Sequence, residues 1–225
     1  MPTAVSLQEY YRQRAQDYEA VYAKPERQCD LARLRTWLAE EVRGRTLLEV
    51  ACGTGYWTAV AAASAVSIVA TDVNADPLQL ARSKALGAHV VFAQADAYAL
   101  PHSDVAFDCG MAHFWWSHVA RARQREFLSH FASRLGKGAR LLMIDNNFVA
   151  GSSTPISRAD AAGNTYQIRA LPTGEACEVL KNFPSTSDIE SALGVFCTRL
   201  QILRLKYFWA ASAMLASTCA RPRMC

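Results

Sequence analysis

The stretch Thr46-Leu47-Leu48-Glu49-Val50-Ala51-Cys52-Gly53-Thr54-Gly55-Tyr56-Trp57 constrains the fold more than any other part of the 225-residue chain. A short apolar run closes on an acidic residue, two close glycines follow, and an Ala-rich helical pattern begins directly after. That order reads as strand, tight turn, helix. Glycine has no Cβ, so such a turn lets backbone N–H groups at a helix N-terminus come close to a ligand. The turn is therefore read as the floor of a nucleotide-type site. Its spacing is Glu-x-x-x-Gly-x-Gly: the position three after Gly55 is Thr58, so Gly-x-Gly-x-x-Gly is not formed, and no Gly-Lys-Ser/Thr follows as a phosphate loop requires.

From Thr46 onward strand and helix patterns alternate. Strands are expected at Thr46–Val50, Ser67–Thr71, Ala88–Phe92, Phe107–Ala112 and Ala139–Asp145, with helices at Tyr56–Ala63, Ala75–Leu86 and His118–Leu135. This alternation predicts an α/β, doubly wound, mostly parallel sheet with helices on both faces. Ligands in such sheets bind beyond the carboxyl ends of the strands, near the topological switch point. Asp72 follows the second strand, where a carboxylate can accept hydrogen bonds from ribose hydroxyls of an adenosyl group. With Asn74 and Asp76 it could instead cap the next helix, although Asp76, just before Pro77, fits the cap better. Asp96 follows the third strand, where a carboxylate can hold the amine of an adenine; it could instead be an ordinary loop residue, although its register with the earlier positions favours the site.

Glu49…Gly53-x-Gly55, Asp72, Asp96-Ala97 and Phe107-Asp108-Cys109-Gly110 resemble, in order and spacing, the successive motifs of class I S-adenosylmethionine (SAM)-dependent methyltransferases. The resemblance covers roughly Thr46 to Asp145. It implies a Rossmann-like fold, SAM as cofactor and S-adenosylhomocysteine (SAH) as product. It also implies that Glu49, Gly53, Gly55, Asp72, Asp96 and Ala97 line the cofactor site. Glu49 would order the glycine loop, Asp72 would hold the ribose and Asp96 the adenine. Ala51, Trp57, Val73 and Met111 beside these motifs, with Tyr18 and Tyr22 from the N-terminal segment, complete the expected cofactor set.

The shared motifs do not reach the acceptor side, which rests on residue chemistry alone. The fourth strand runs into Met111-Ala112-His113-Phe114-Trp115-Trp116-Ser117-His118, where two histidines among aromatics suit a dry pocket for a planar substrate. The same residues also suit core packing, with Ser117 as a helix N-cap and His118 the first helical residue. His113 is the first candidate base and Asp145, at the end of the fifth strand, the second. Substrate contacts are expected from Trp115, Trp116, His118 and Asn147. An insertion after the fifth strand, with a hairpin at Thr165–Leu171 and Ala176–Leu180, adds Tyr166 and Arg169; it reads equally as a lid or as a purely structural hairpin. Tyr10, Tyr11 and Arg14 come from an N-terminal helix expected over Ser6–Tyr22. Its tyrosines Tyr11, Tyr18 and Tyr22 share one face, which either packs on the domain or covers the cofactor.

The chain is expected to form one methyltransferase domain over 1–225: a helical cover (1–44), the SAM-binding core (46–145), a substrate-side insertion (146–184) and a closing helix and antiparallel hairpin (185–218). A net charge of +4 with no basic run gives no nucleic-acid footprint. The seven cysteines are scattered and never spaced Cys-x-x-Cys, which points to reduced thiols with no metal site. No membrane-length apolar stretch or signal-peptide core is present, so a cytoplasmic protein is expected, monomer or homodimer, acting on a small aromatic or heterocyclic acceptor.

Overall fold

Alternating elements close into two sheets in a computed structural model that describes residues 7–13, 15–171 and 174–216. The first half runs α1 (Leu7–Gln13), a 3-10 segment (Ala15–Ala23), α2 (Gln28–Glu41), β1 (Thr46–Val50), α3 (Tyr56–Ala62), β2 (Ser67–Asp72), α4 (Ala75–Ser83) and β3 (Val90–Gln94). Then follow β4 (Cys109–His113), two 3-10 turns (Trp116–His118 and Arg121–Arg123), α5 (Gln124–Ala132) and β5 (Arg140–Asn146). The insertion supplies β6 (Arg158–Ala159), β7 (Thr165–Ala170) and β8 (Ala176–Leu180). The chain closes with α6 (Thr186–Leu193), β9 (Cys197–Arg204) and β10 (Phe208–Leu215).

The main sheet has the order β3-β2-β1-β4-β5-β10-β9, and the insertion strands form a separate sheet, β6-β7-β8. Strands β1 to β5 are parallel, while β10 pairs antiparallel with both β5 and β9. This is the Rossmann-like, doubly wound architecture that the alternating pattern predicts. The chain winds outward from β1 to β3, then returns to the other side of β1 with β4. The carboxyl ends of β1 and β4 therefore flank the switch-point crevice.

Both faces of the sheet are covered. On one, Leu31, Leu34 and Leu38 of α2 are fully buried against Leu47, Trp57 and Phe208, each side chain contributing about 1.5–3 kcal/mol. On the other, Phe127 and Phe131 of α5 pack with Phe107, Trp116 and Trp209. Gly110 allows that approach, because a Cβ there would lie 2.5 Å from Leu135 Cδ1 and 2.9 Å from Phe131 Cζ. Helix α1 belongs to neither layer: Tyr10 packs with Leu171, Cys177 and Val179 of the insertion.

Several expected elements differ; the fourth strand starts at Cys109 instead of Phe107, and the helix from Ala75 ends at Ser83 instead of Leu86. The helix over His118–Leu135 begins only at Gln124, because tertiary partners take the backbone groups that would start it. Asn182 N–H donates to Ser117 O, the Asn182 side chain to Val119 O, and Ser117 N–H to Asp145. The helix over Ser6–Tyr22 gives way after Gln13 to the 3-10 segment, so Tyr11 and Tyr22 do not share one α-helical face. The third strand starts at Val90 instead of Ala88, because Gly87 at φ 100 makes a turn closed by Val90 N–H to Gly87 O. Among the described residues no helix is long and apolar enough to cross a membrane.

Candidate active site

The glycine turn is built on three left-handed residues, Ala51 (φ 53), Gly53 (φ 55) and Gly55 (φ 76). Glycine takes this conformation without penalty; an alanine there is strained and needs support from its surroundings. Cys52 N–H donates to Thr71 O at 2.9 Å and Gly55 N–H to Cys52 O at 3.0 Å, which locks the turn against β2. Gly55 also serves packing, since a Cβ there would meet Ala81 Cβ of α4 at 3.0 Å.

The carboxylates beneath the turn divide the work differently from the family pattern. Asp72, not Glu49, receives the Gly53 N–H, at 2.9 Å, and its other oxygen receives the Asn74 N–H at 2.9 Å. Asp72 thus ties the turns after β1 and β2 together. Asn74 occupies the N-cap position of α4, and Asp76 lies inside the helix's first turn. Glu49, 1% exposed, accepts the Thr58 hydroxyl at 2.7 Å and fixes α3. Burial, with a smaller contribution from the Asp72 charge, pushes the Glu49 carboxyl from 4.5 up to about 7. Asp72 is also raised by burial, against the lowering effect of the Asn74, Gly53 and Val73 N–H groups.

A cavity of about 290 Å³ opens over this turn. Of the expected cofactor residues, Tyr22, Glu49, Ala51, Gly53, Trp57, Asp72, Val73, Asp96 and Ala97 line it. Gly55 shapes the turn without lining the cavity, and Met111 is fully buried in the sheet core. The side chain of Tyr18 lies outside the described residues. The cavity also takes in Thr54, Tyr98, Phe114 and Arg123, for which the sequence carried no motif. Arg123 lies 3.7 Å over the Tyr98 ring and pairs with Glu126. It reaches the cavity from the 3-10 turn where a continuous helix was expected.

The N-terminal cover is fastened to this floor. Glu19 accepts the Thr54 hydroxyl at 2.7 Å and pairs with Lys84. Tyr22 stacks on Tyr56 with centroids 4.1 Å apart, and Trp57 Nε1 donates to the Tyr22 hydroxyl at 3.2 Å. Phe114, left-handed at φ 56, stacks on Trp57 at 5.8 Å. Its place at the end of β4 parallels that of Ala51 at the end of β1.

A second, larger cavity of about 720 Å³ adjoins the first, and Tyr11, Tyr22, Phe114 and His118 line both. Its far wall is the insertion, docked onto the segment after β4. His118 bonds to Leu180 O at 2.7 Å through Nδ1 and to the Tyr11 hydroxyl at 2.7 Å through Nε2. The Leu180 carbonyl can only accept, so Nδ1 carries the proton and Nε2 accepts from Tyr11. Burial, reinforced by Lys181 and Arg169, holds the His118 pKa well below 6.5, so the ring is neutral. Burial likewise keeps Tyr11 protonated, its pKa pushed up to about 12.

The remaining candidates separate into those at the cavities and those behind them. His113 lines the first cavity at 5% exposure, and neither ring nitrogen has a hydrogen-bond partner. Burial depresses its pKa from 6.5 to about 3, so the ring is neutral, and both of its nitrogens are themselves buried. Asp145 lines neither cavity. It is fully buried, pairs with Lys181 at 3.0 Å and accepts from Ser117 N and Oγ at 2.9 Å each. Trp115 lines the first cavity, whereas Trp116 is packed in the core. Tyr10, Asn147 and Arg169 line the second. Tyr166 does not: its hydroxyl donates to Asp160 at 2.9 Å, with Arg158 over its ring. Arg14 lies outside the described residues.

Residues 47–138 match the methyltransferase domain family. The chain is 32% identical to the ubiquinone/menaquinone biosynthesis C-methyltransferase UbiE of Hahella chejuensis, over 57% of this chain and 52% of that protein. It is 31% identical to the O-methyltransferase rstn1 of Aspergillus nomiae, over 62% of this chain and 63% of that protein. The chain thus spans about half to two thirds of the length of these relatives. Among solved structures, the DhpI–SAH complex superimposes with a TM-score of 0.74 at 25% identity, over 93% of this chain and 95% of DhpI. Magnesium protoporphyrin IX methyltransferase (ChlM) from Synechocystis PCC 6803 with bound SAH shares the fold, with a TM-score of 0.64 at 17% identity over 93% and 98%. The fold is that of the class I SAM-dependent methyltransferases. Within it, residues 47–138 are the part that the methyltransferase domain model matches.

Proposed function

We propose that the chain catalyses SAM-dependent methyl transfer to a nitrogen or oxygen of a small metabolite with an aromatic or heterocyclic body. The observation that carries this reading is the pair of adjoining cavities at the switch-point crevice, which share Tyr11, Tyr22, Phe114 and His118. The first has three carboxylates, Glu49, Asp72 and Asp96, and one cation, Arg123, a balance suited to a ligand with a sulfonium and an ammonium group. SAM, when bound, supplies an electrophilic methyl on a positively charged sulfur.

The protein's own task is alignment and exclusion of water. In this reading Asp72 faces the ribose, Asp96 and the Ala97 N–H the adenine, and the glycine turn and Glu49 the methionine end. Phe114, Trp57 and Tyr22 supply the apolar surround where positive charge disperses. Between the two cavities these residues would hold the acceptor's lone pair in line with the methyl group that SAM would supply. The neutral His118–Tyr11 pair, which lines both cavities, orients the acceptor by hydrogen bonding. His113, neutral and unpartnered, serves as a hydrogen-bonding group. Asp145 acts from behind as a positioning residue that holds the Ser117 turn.

The test is incubation of the purified chain with isotopically methyl-labelled SAM and a panel of small phenols, heteroaromatic amines and acids. Appearance of SAH with a labelled product supports the reading. SAM binding without turnover across the panel favours a cofactor-binding regulatory protein on the same fold, and no SAM binding refutes both.

A further inference from the structure

The two cavities carry opposite charge. Among the described residues, the charged side chains lining the second are Lys24, Arg27, Arg169 and Lys181, with no Asp or Glu. Lys181 is compensated by Asp145 at 3.0 Å. Neither arginine has a carboxylate within ion-pair distance among the described residues. Arg27 is 7% exposed and lies over the Tyr207 and Phe208 rings; among the described residues its Nε has no hydrogen-bond partner and its Nη2 reaches the Ser152 hydroxyl at 3.2 Å and the Ser152 carbonyl at 3.5 Å. The neighbouring carboxylate, exposed Glu26, turns instead to Ser152 Oγ at 3.3 Å.

Arg169 is half-buried in the same chamber, where its guanidinium also bonds to Tyr10 and Tyr11, neither of which supplies a counter-charge. Its Nε and Nη2 donate to Gln167 Oε1 at 3.3 and 2.7 Å, and Gln167, 2% exposed, is itself fixed by donating to Thr154 O at 2.6 Å. A guanidinium removed from water without a counter-charge is costly, and a planar, preorganised one is suited to bidentate capture of an oxyanion. The aromatic side of the chamber, Tyr22, Phe114 and Phe208, can take an apolar body while the cations take one end.

We propose that the second cavity is the acceptor site and selects an acceptor bearing a carboxylate- or phosphonate-type anion, bound by Arg169 and Arg27. The inference rests on the reading of the first cavity as the SAM site and deepens it: an anion in the second chamber faces a cationic methyl donor in the first.

The test uses three probes of one shape, benzoate, phenylphosphonate and benzamide, titrated calorimetrically in low-chloride buffer with and without SAH. At least one anion is expected to bind the wild-type chain, and neutral benzamide at least about tenfold more weakly, the scale of a hydrogen bond to a charged group. Preference for benzoate or for phenylphosphonate identifies the head group. Arg169→Met should weaken anion binding at least about tenfold, with partial recovery in Arg169→Lys, while both variants keep wild-type SAH affinity, which also reports a folded chain. SAH binding with benzamide equal to the anions, or with anion binding unmoved by Arg169→Met, overturns the proposal and leaves the SAM reading intact. Failure of SAH to bind the wild-type chain overturns the SAM reading itself, and the inference with it.

Discussion

Replacing Glu49 by Gln tests the electrostatics beneath the glycine turn. Glu49 is 1% exposed and its acidic neighbour is Asp72, so burial raises its pKa from 4.5 to about 7. Between those values the folded chain keeps a proton that the unfolded chain has released. Stability from the neutral carboxyl is therefore fully present below about pH 4.5 and is lost as pH rises through about 7. At about 1.4 kcal/mol per pH unit of displacement, the loss is about 3.5 kcal/mol. Gln fills the same space, can still accept from the Thr58 hydroxyl, and does not titrate. Urea denaturation of both proteins should give similar stabilities near about pH 4.5, with Gln favoured by about 3 kcal/mol near pH 8. Parallel stability profiles across that range would refute the raised pKa. A second consequence concerns SAM, whose positive charge should draw the proton from Glu49: near neutral pH the binding heat should depend on the buffer in wild type but not in Glu49→Gln.

Three further substitutions probe other levels of the structure. Asp72→Ala removes the acceptor for Gly53 N–H and the proposed ribose partner, so SAM affinity measured by calorimetry should fall by about 1–3 kcal/mol; an unchanged Kd removes Asp72 from the site. Gly110→Ala forces a methyl onto Leu135 and Phe131 and should lower stability by about 1–3 kcal/mol, whereas an unchanged denaturation midpoint would mean that α5 yields freely. Lys181→Met leaves Asp145 buried without its cation and should cost about 3–5 kcal/mol. Most of that loss should return in the double variant with Asp145→Asn, and a failure to recover argues against the pair as the cause.

The sheet was legible because its signals are local. Apolar runs such as Thr46–Val50 and Arg140–Asn146, and glycines at φ 55 and 76, announce strands and a turn without help from distant residues. The acidic positions at the ends of β1 and β2 and after β3 were legible for the same reason. What the sequence concealed depends on contacts across the chain. The expected helix from His118 fails because Asn182, over sixty residues later, takes the Ser117 and Val119 carbonyls. Arg123 reaches the first cavity as a result. Asp145 had the position of a base, and only the structure reveals Lys181 beside it. His118 and Tyr11, separated by 107 positions, form their hydrogen bond only once the cover and the insertion meet. The cationic second chamber likewise draws its arginines from the N-terminal cover and from β7.

The most direct measurement is a crystal structure of the complex with SAH. The ribose is expected at Asp72, the adenine beside Asp96 and Ala97, and the sulfur facing the junction formed by Tyr11, Phe114 and His118 with the second chamber. SAH bound outside this cavity, or with its sulfur directed away from that junction, would contradict the proposed methyl transfer.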